Sequence, residues 1–412
     1  MPEPITLTCS WGRAPLPTAQ TPQVAYLYVE ALAAAITETV ALNFCLVLDR
    51  SGSMQGTKLA ALKEATKRVI DTLTPQDIVS IVLFDDTVDI LVPATTATDK
   101  MALIAKIDAI QESGGTAMSG GMRAGLGELA KNAAPDRVSA LLLLTDGQTW
   151  GDEAECRAIA TQIGQAGARI TALGLGAEWN ETLLDDVAEA TGGVSDYIAD
   201  PATITKFFQR AVRSAQGTVA KDARLLLRLV KDVTPRAVHR TAPVIANLGY
   251  QPIGENEVAV RLGNIEATGP SGVVIEMMVP VRAAGAFRVA QAELHYTLVG
   301  GSEQVIKQDV MLAFTSDAAA PQYDPKIMNL VEKVTAFKLQ TRALSEAEAG
   351  NVAGATQKLR AAATRLLDLG ELELAQQAQA QATQLEAAGQ LSAEGQKELR
   401  YATRRLTQKL DE

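Results

Sequence analysis

Three textures along the chain predict its fold class: a doubly wound, mostly parallel α/β domain, inserted in an antiparallel β-sandwich and followed by a C-terminal helical bundle. Between residues 41 and 216, apolar runs alternate with stretches of helical periodicity, the pattern of a parallel sheet covered on both faces. Residues 217–316 turn instead to alternating runs broken by turn residues, and residues 1–40 hold two more strand candidates. Residues 324–412 carry helical spacing throughout.

Ile5 to Trp11 and Gln23 to Ala31 are too short for a domain, so they are expected to pair with the later strands and leave the α/β domain as an insertion. That domain starts with the apolar run Asn43 to Leu48, a strand buried on both faces. Thr57 to Leu73 has Leu59, Leu62, Ala65, Val69, Ile70 and Leu73 at helical spacing. Ile78 to Phe84 and Val88 to Val92 are expected as strands joined by a tight hairpin at Asp85-Asp86-Thr87. Helices follow at Asp99 to Ile110 and Ser119 to Asn132, then a strand at Val138 to Thr145 and a helix at Glu153 to Ala166. A strand at Arg169 to Gly176, a helix at Asn180 to Thr191, a strand at Val194 to Ile198 and a helix at Pro201 to Ser214 close the unit.

The runs Arg224 to Leu229, Val258 to Leu262, Val273 to Met277 and Ala292 to Leu298 are separated by turn residues, as in a sandwich. Residues 317–325, rich in Ala, Asp and Pro, form a linker. Helices are expected at Pro325 to Ala349, Val352 to Leu369, Leu372 to Ala388 and Ala393 to Leu410, and turns this short force antiparallel neighbours. Lys397, Arg400, Arg404, Arg405 and Lys409 make the last helix basic, which is expected as a solvated face.

With 412 residues the chain exceeds the usual single domain and buries a sizeable core. Its 38 Lys plus Arg against 48 Asp plus Glu give a net charge of -10, which argues against a nucleic-acid partner. The apolar stretch from Val24 to Leu48 is broken by Glu30, Thr37, Glu38, Thr39 and Asn43, so no membrane span is expected. The start, Met1-Pro2-Glu3-Pro4-Ile5, shows no secretory pattern, and Cys9, Cys45 and Cys156 lack metal-like spacing. Both point to a cytoplasmic protein with reduced thiols.

The chemistry sits where strands end. Asp49, Ser51 and Ser53 occupy alternate positions just after the run ending at Leu48, so the loop turns three small oxygen ligands toward one point. Thr116 lies in Ser113-Gly114-Gly115-Thr116, and Asp146 follows the buried run Ala140 to Thr145. In doubly wound sheets ligands bind beyond the carboxyl ends of the strands, where the connection order reverses. These five residues resemble the metal-ion-dependent adhesion site (MIDAS) of von Willebrand factor type A (VWA) domains, over roughly residues 41–216, and match it at all five positions. The resemblance implies a Rossmann-like domain that holds Mg2+ or Mn2+. Ser51, Ser53 and sometimes Thr116 would then ligate directly, while Asp49 and Asp146 act largely through waters. Neutral hydroxyls around the ion keep it electrophilic, so an open position favours an Asp or Glu from a protein partner.

Trp150 and Trp179 fall on loops at the same end of the sheet and are candidate rim anchors, and Asp85 and Asp86 are candidates to reach that rim. Metal hydrolysis needs a general base near the substrate, and the two histidines, His239 and His295, both lie in the β region. With no Walker loop, nucleophile elbow or zinc cluster, the chain reads as a non-enzyme. The expected function is an intracellular, bacterial-type scaffold that grips an acidic residue of a partner through Mg2+, in signalling or assembly. Two alternatives stay open: a non-catalytic subunit of an AAA+ ATPase metal-insertion or remodelling complex, and a surface adhesin.

Overall fold

The computed structural model describes residues 4–34, 40–317, 320 and 322–408, in two compact units. One comprises residues 40–221 and 297–302; the other comprises the described parts of residues 1–34, 222–296 and 303–412. The first unit therefore interrupts the second along the chain.

In the α/β unit the sheet has six strands, in the order Val194–Ile198, Arg169–Leu175, Arg137–Thr145, Ala41–Asp49, Ile78–Phe84 and Val88–Thr96. All neighbours run parallel except the last pair, whose hairpin is antiparallel. The two central strands read as near-continuous apolar runs because helices cover both faces; from Leu42 to Asp49 every residue is buried. Packed against one face are the helices Thr57–Thr72 and Ile204–Gln216, whose Leu62, Val69, Ile70, Phe208 and Val212 join one core with Phe44, Leu46 and Leu142. The chain leaves Ala41–Asp49 toward Ile78–Phe84 on one side and later takes up Arg137–Thr145 on the other. The order reverses between these two strands, and Asp49 and Asp146 stand at their carboxyl ends.

The second unit holds a five-stranded antiparallel sheet, in the order Ile5–Trp11, Gln23–Ala33, Ser271–Val279, Thr234–Ala242 and Ala246–Asn247. A six-stranded sheet runs Gln251–Gly254, Glu257–Glu266, Thr218–Leu229, Gly285–Leu298, Glu303–Thr315 and Leu16–Pro17. The Trp11 indole donates to the Met311 carbonyl at 2.7 Å and so ties the two sheets. Two long strands go beyond the sequence expectation: Thr234–Ala242, whose buried stretch Val238 to Thr241 includes the polar His239, Arg240 and Thr241, and Glu303–Thr315, whose first half is largely exposed.

Four helices complete this unit, Pro325–Glu348, Val352–Asp368, Leu372–Ala388 and Ala393–Arg404. Asp324, Asn351 and Ser392 cap three of them by accepting from the backbone N–H of Ile327, Gly354 and Gly395. The last helix departs from expectation. Lys397 and Arg404 are buried rather than solvated, with the Arg404 guanidinium over the Tyr401 ring at 5.2 Å. Lys409 and Leu410 lie outside the described residues. Among the described residues no helix is long and apolar enough to cross a membrane.

Candidate metal centre

The segment after Ala41–Asp49 is short and tightly braced. Arg50 N–H donates to the Phe84 carbonyl, Gly52 N–H to the Gly114 carbonyl at 3.0 Å, and Ser113 N–H to the Arg50 carbonyl at 2.8 Å. These bonds lock the Asp-x-Ser-x-Ser loop against the Gly-Gly-Thr loop. Thr116 is held in turn, since its carbonyl accepts from Thr149 Oγ1 at 3.1 Å and Ala117 N–H donates to the Asp85 carbonyl at 2.8 Å. Gly114 adopts φ +62°, which a side chain would strain, and a Cβ there would also meet the Asp86 carboxylate at 2.8 Å.

Within this frame the oxygens converge. Ser51 Oγ and Ser53 Oγ lie 3.0 Å apart, and Ser53 Oγ donates to Asp146 Oδ1 at 2.6 Å. Asp49 Oδ1 accepts from Ser51 N–H at 2.8 Å, and Asp49 Oδ2 from Thr145 Oγ1 at 2.6 Å. Gly147 leaves room at the centre: a Cβ there would lie 3.1 Å from Thr116 Oγ1 and 3.8 Å from Ser53 Oγ. All five sequence-selected residues are thus drawn to one place, from buried Asp49, Asp146 and Ser51 at the floor, through half-buried Thr116, to exposed Ser53.

The donor set, two carboxylates and three hydroxyls, is all hard oxygen and suits Mg2+ or Mn2+. Its chemistry differs from a cage of acids and imidazoles, and among the described residues no group of three or more His, Cys, Asp or Glu is placed to hold a metal. Burial raises the Asp49 carboxyl above its ordinary range. Hydrogen bonds from Ser51 and Thr145 oppose that rise, and the Asp146 charge adds to it.

One participant lies outside the oxygen pattern that marks the site in the sequence. Lys58, in the first turn of Thr57–Thr72, donates to Asp146 Oδ2. A search confined to oxygen ligands passes over a lysine; its place five residues beyond Ser53, at a helix start facing the same loop, is the signal that could have found it.

The rim is narrower than expected. Trp150 is 81% exposed on the loop after Asp146, but Trp179 is 2% exposed. Its indole donates to the Gly176 carbonyl at 2.6 Å, and its ring lies over Gly174, where a Cβ would come within 2.0 Å of it. Trp179 is therefore a core side chain. Asp85 is also buried rather than at the rim: it accepts from Thr87 N–H at 2.6 Å and from Arg50 Nε at 2.7 Å. Burial would raise its carboxyl, but the Thr87 and Arg50 hydrogen bonds prevail and hold it below the usual range. Asp86 remains exposed beside the Gly114-Gly115 loop. Burial pushes the thiols of Cys9, Cys45 and Cys156 up to about 12.

Comparison with known proteins agrees with this architecture. Residues 43–210 match the von Willebrand factor type A domain family, and residues 325–409 match the Sll0103-like C-terminal alpha-helical domain. The chain is 27% identical to the uncharacterized protein sll0103 of Synechocystis over 88% of this chain and 87% of that one. Over 50% of its length it is 28% identical to mouse calcium-activated chloride channel regulator 3A-1, of which the match spans 23%. Among solved structures, a von Willebrand factor type A protein from Catenulispora acidiphila superposes with TM-score 0.78 at 21% identity, covering 97% of this chain and 96% of that one. The ArnB paralog VWA2 from Sulfolobus acidocaldarius gives 0.59 at 14%, covering 98% of each. The chain thus contains a von Willebrand factor type A domain, with its mixed α/β fold, and an Sll0103-like C-terminal helical domain.

Proposed function

We propose that this protein is a non-catalytic scaffold that binds an acidic side chain of a protein partner through a divalent ion, Mg2+ or Mn2+, at the Asp49, Ser51, Ser53, Thr116 and Asp146 cluster. The observation that carries this reading is the contact of Ser53 Oγ with Asp146 Oδ1 at 2.6 Å and Ser51 Oγ at 3.0 Å, which joins the ends of two central strands at a solvent-facing point. VWA domains generally mediate protein-protein interactions, and that supports the same direction.

A bound ion would supply Lewis acidity toward a carboxylate. The chain's own residues do the rest. Ser51, Ser53 and Thr116 would hold the ion through neutral oxygens, while Asp49, fixed from below by Thr145, and Asp146 would supply charge without crowding the outward face. Trp150, exposed beside the cluster, is the natural apolar anchor for a partner's surface. Asp86 would repel acidic residues that arrive off register. Against a hydrolytic reading, neither of the two histidines, His239 and His295, is among the residues of the cluster.

A pull-down from cell extract with the full chain tests this, read by mass spectrometry in Mg2+ and in EDTA. The expected result is a partner retained with Mg2+, released by EDTA and lost with Asp49→Ala while circular dichroism stays native. Partners that bind equally in both buffers would contradict it.

A further inference from the structure

We propose that Lys58 is a tethered cation that competes with the divalent ion for Asp146 and so sets the ion concentration at which the site loads. The inference rests on the metal-dependent reading above. Asp146 has both oxygens engaged, Oδ1 by the Ser53 hydroxyl and Oδ2 by the Lys58 ammonium, and its side chain is 0% exposed. A carboxylate buried this fully needs a compensating charge, and Lys58 provides it from the first turn of its helix.

A second cation beside the loop is already committed. Arg50 pairs with Asp85 at 2.7 Å and reaches Asp89 at 3.6 Å. Charge balance then sets the competition. With the ammonium in place, Asp49 and Asp146 together present one net negative charge, too little for a doubly charged ion. With the ammonium withdrawn, the two carboxylates match the ion. A positive charge held close to an incoming cation repels it, and the low dielectric of a buried floor strengthens that repulsion.

Withdrawal is sterically open. The Lys58 side chain is 30% exposed, and its flexible stem lets the ammonium swing to solvent without moving the helix. The arrangement gives Asp146 a partner at low ion concentration and releases it at high ion concentration. Serine and threonine hydroxyls alone would not do this, since none of them carries charge.

The test is titration of Mn2+ alone into the full chain, followed by electron paramagnetic resonance of the free ion, with thermal unfolding by circular dichroism in parallel. Lys58→Met and Lys58→Gln should each bind Mn2+ at least about tenfold more tightly than the wild type, the effect of removing a close like charge. Lys67→Met, on the same helix but paired with Asp108 at 2.9 Å, controls for general loss of charge and should bind as the wild type does. Without ion, both Lys58 variants should melt below the wild type, and Mn2+ should raise their midpoints by more than it raises that of the wild type. Should Lys58→Met fail to fold, Lys58→Gln carries the comparison, because it keeps a polar donor at that position without the charge. Equal or weaker Mn2+ binding by the Lys58 variants would overturn the role of Lys58 and leave the metal reading standing. No uptake by any of the proteins would overturn both.

Discussion

In the α/β unit, Asp49, Ser51 and Asp146 are buried but fully engaged, each hydrogen-bonded to a neighbour in the cluster, to Thr145 or to Lys58. The strand-and-helix unit buries polar groups on other terms. His239 lies edge-on to Phe337 at 6.4 Å beside a cavity of about 20 Å³, and neither amide atom of Gln340 finds a partner among the described residues. The first arrangement holds charge ready for exchange with an incoming ion, whereas the second only opposes charging. Metal should therefore act on the stability of the α/β unit, and charging of His239 on that of the other.

The sharpest break in this comparison lies within the α/β unit, between its two loop tryptophans. Trp179→Ala should cost about 3–5 kcal/mol in urea unfolding, as expected for emptying a buried aromatic site. Trp150→Ala should leave stability within about 0.5 kcal/mol but weaken partner binding by at least about 2 kcal/mol. If Trp150→Ala unfolds the protein or leaves binding unchanged, it is not an interface anchor.

Charging of His239 gives the next test. Burial, with the Lys338 charge beside it, lowers the His239 pKa from 6.5 to about 4. Between those values the unfolded chain takes up a proton that the folded one refuses, so stability is intact above 6.5 and is lost as pH falls toward 4, by at most about 3 kcal/mol. Denaturant unfolding at pH 7 and pH 4.5, with wild type and His239→Gln, checks this. A wild-type slope across that window no steeper than that of His239→Gln would rule out His239 as the source of the acid sensitivity.

A smaller effect sharpens the geometry of the centre. Gly147→Ala would place a methyl group 3.1 Å from Thr116 Oγ1 and should weaken Mn2+ binding about tenfold, with stability changed by less than about 1 kcal/mol. Unchanged affinity would mean that the ion does not sit between those hydroxyls.

Much of this architecture is legible in the amino-acid sequence. The run Asn43 to Leu48 and the run ending at Thr145 are buried on both faces, so their composition alone marks them as central strands, and a ligand loop at the end of such a strand has little freedom. Trp179 defeats the same logic because sequence shows that a tryptophan follows a strand but not that Gly174 opens a slot for its ring. Asp85 does so for a related reason: a hairpin acid looks solvated until Arg50, 35 residues earlier, is known to reach it. Thr234–Ala242 stays hidden because three of its buried residues, His239, Arg240 and Thr241, are polar, and Arg404 because a cation on a helix reads as exposed until the neighbouring elements are seen. Lys58 gives only a faint sign of its role, its place at the helix start five residues beyond Ser53, because the pairing that defines it joins it to Asp146, 88 residues away.

Isothermal titration calorimetry of Mg2+ and Mn2+ into the wild-type chain and into Asp146→Asn tests the central claim most directly. One ion per chain for the wild type, and none for the variant with its fold intact by circular dichroism, is the predicted result. No uptake by the wild type at millimolar ion, or the same uptake by both proteins, would contradict it.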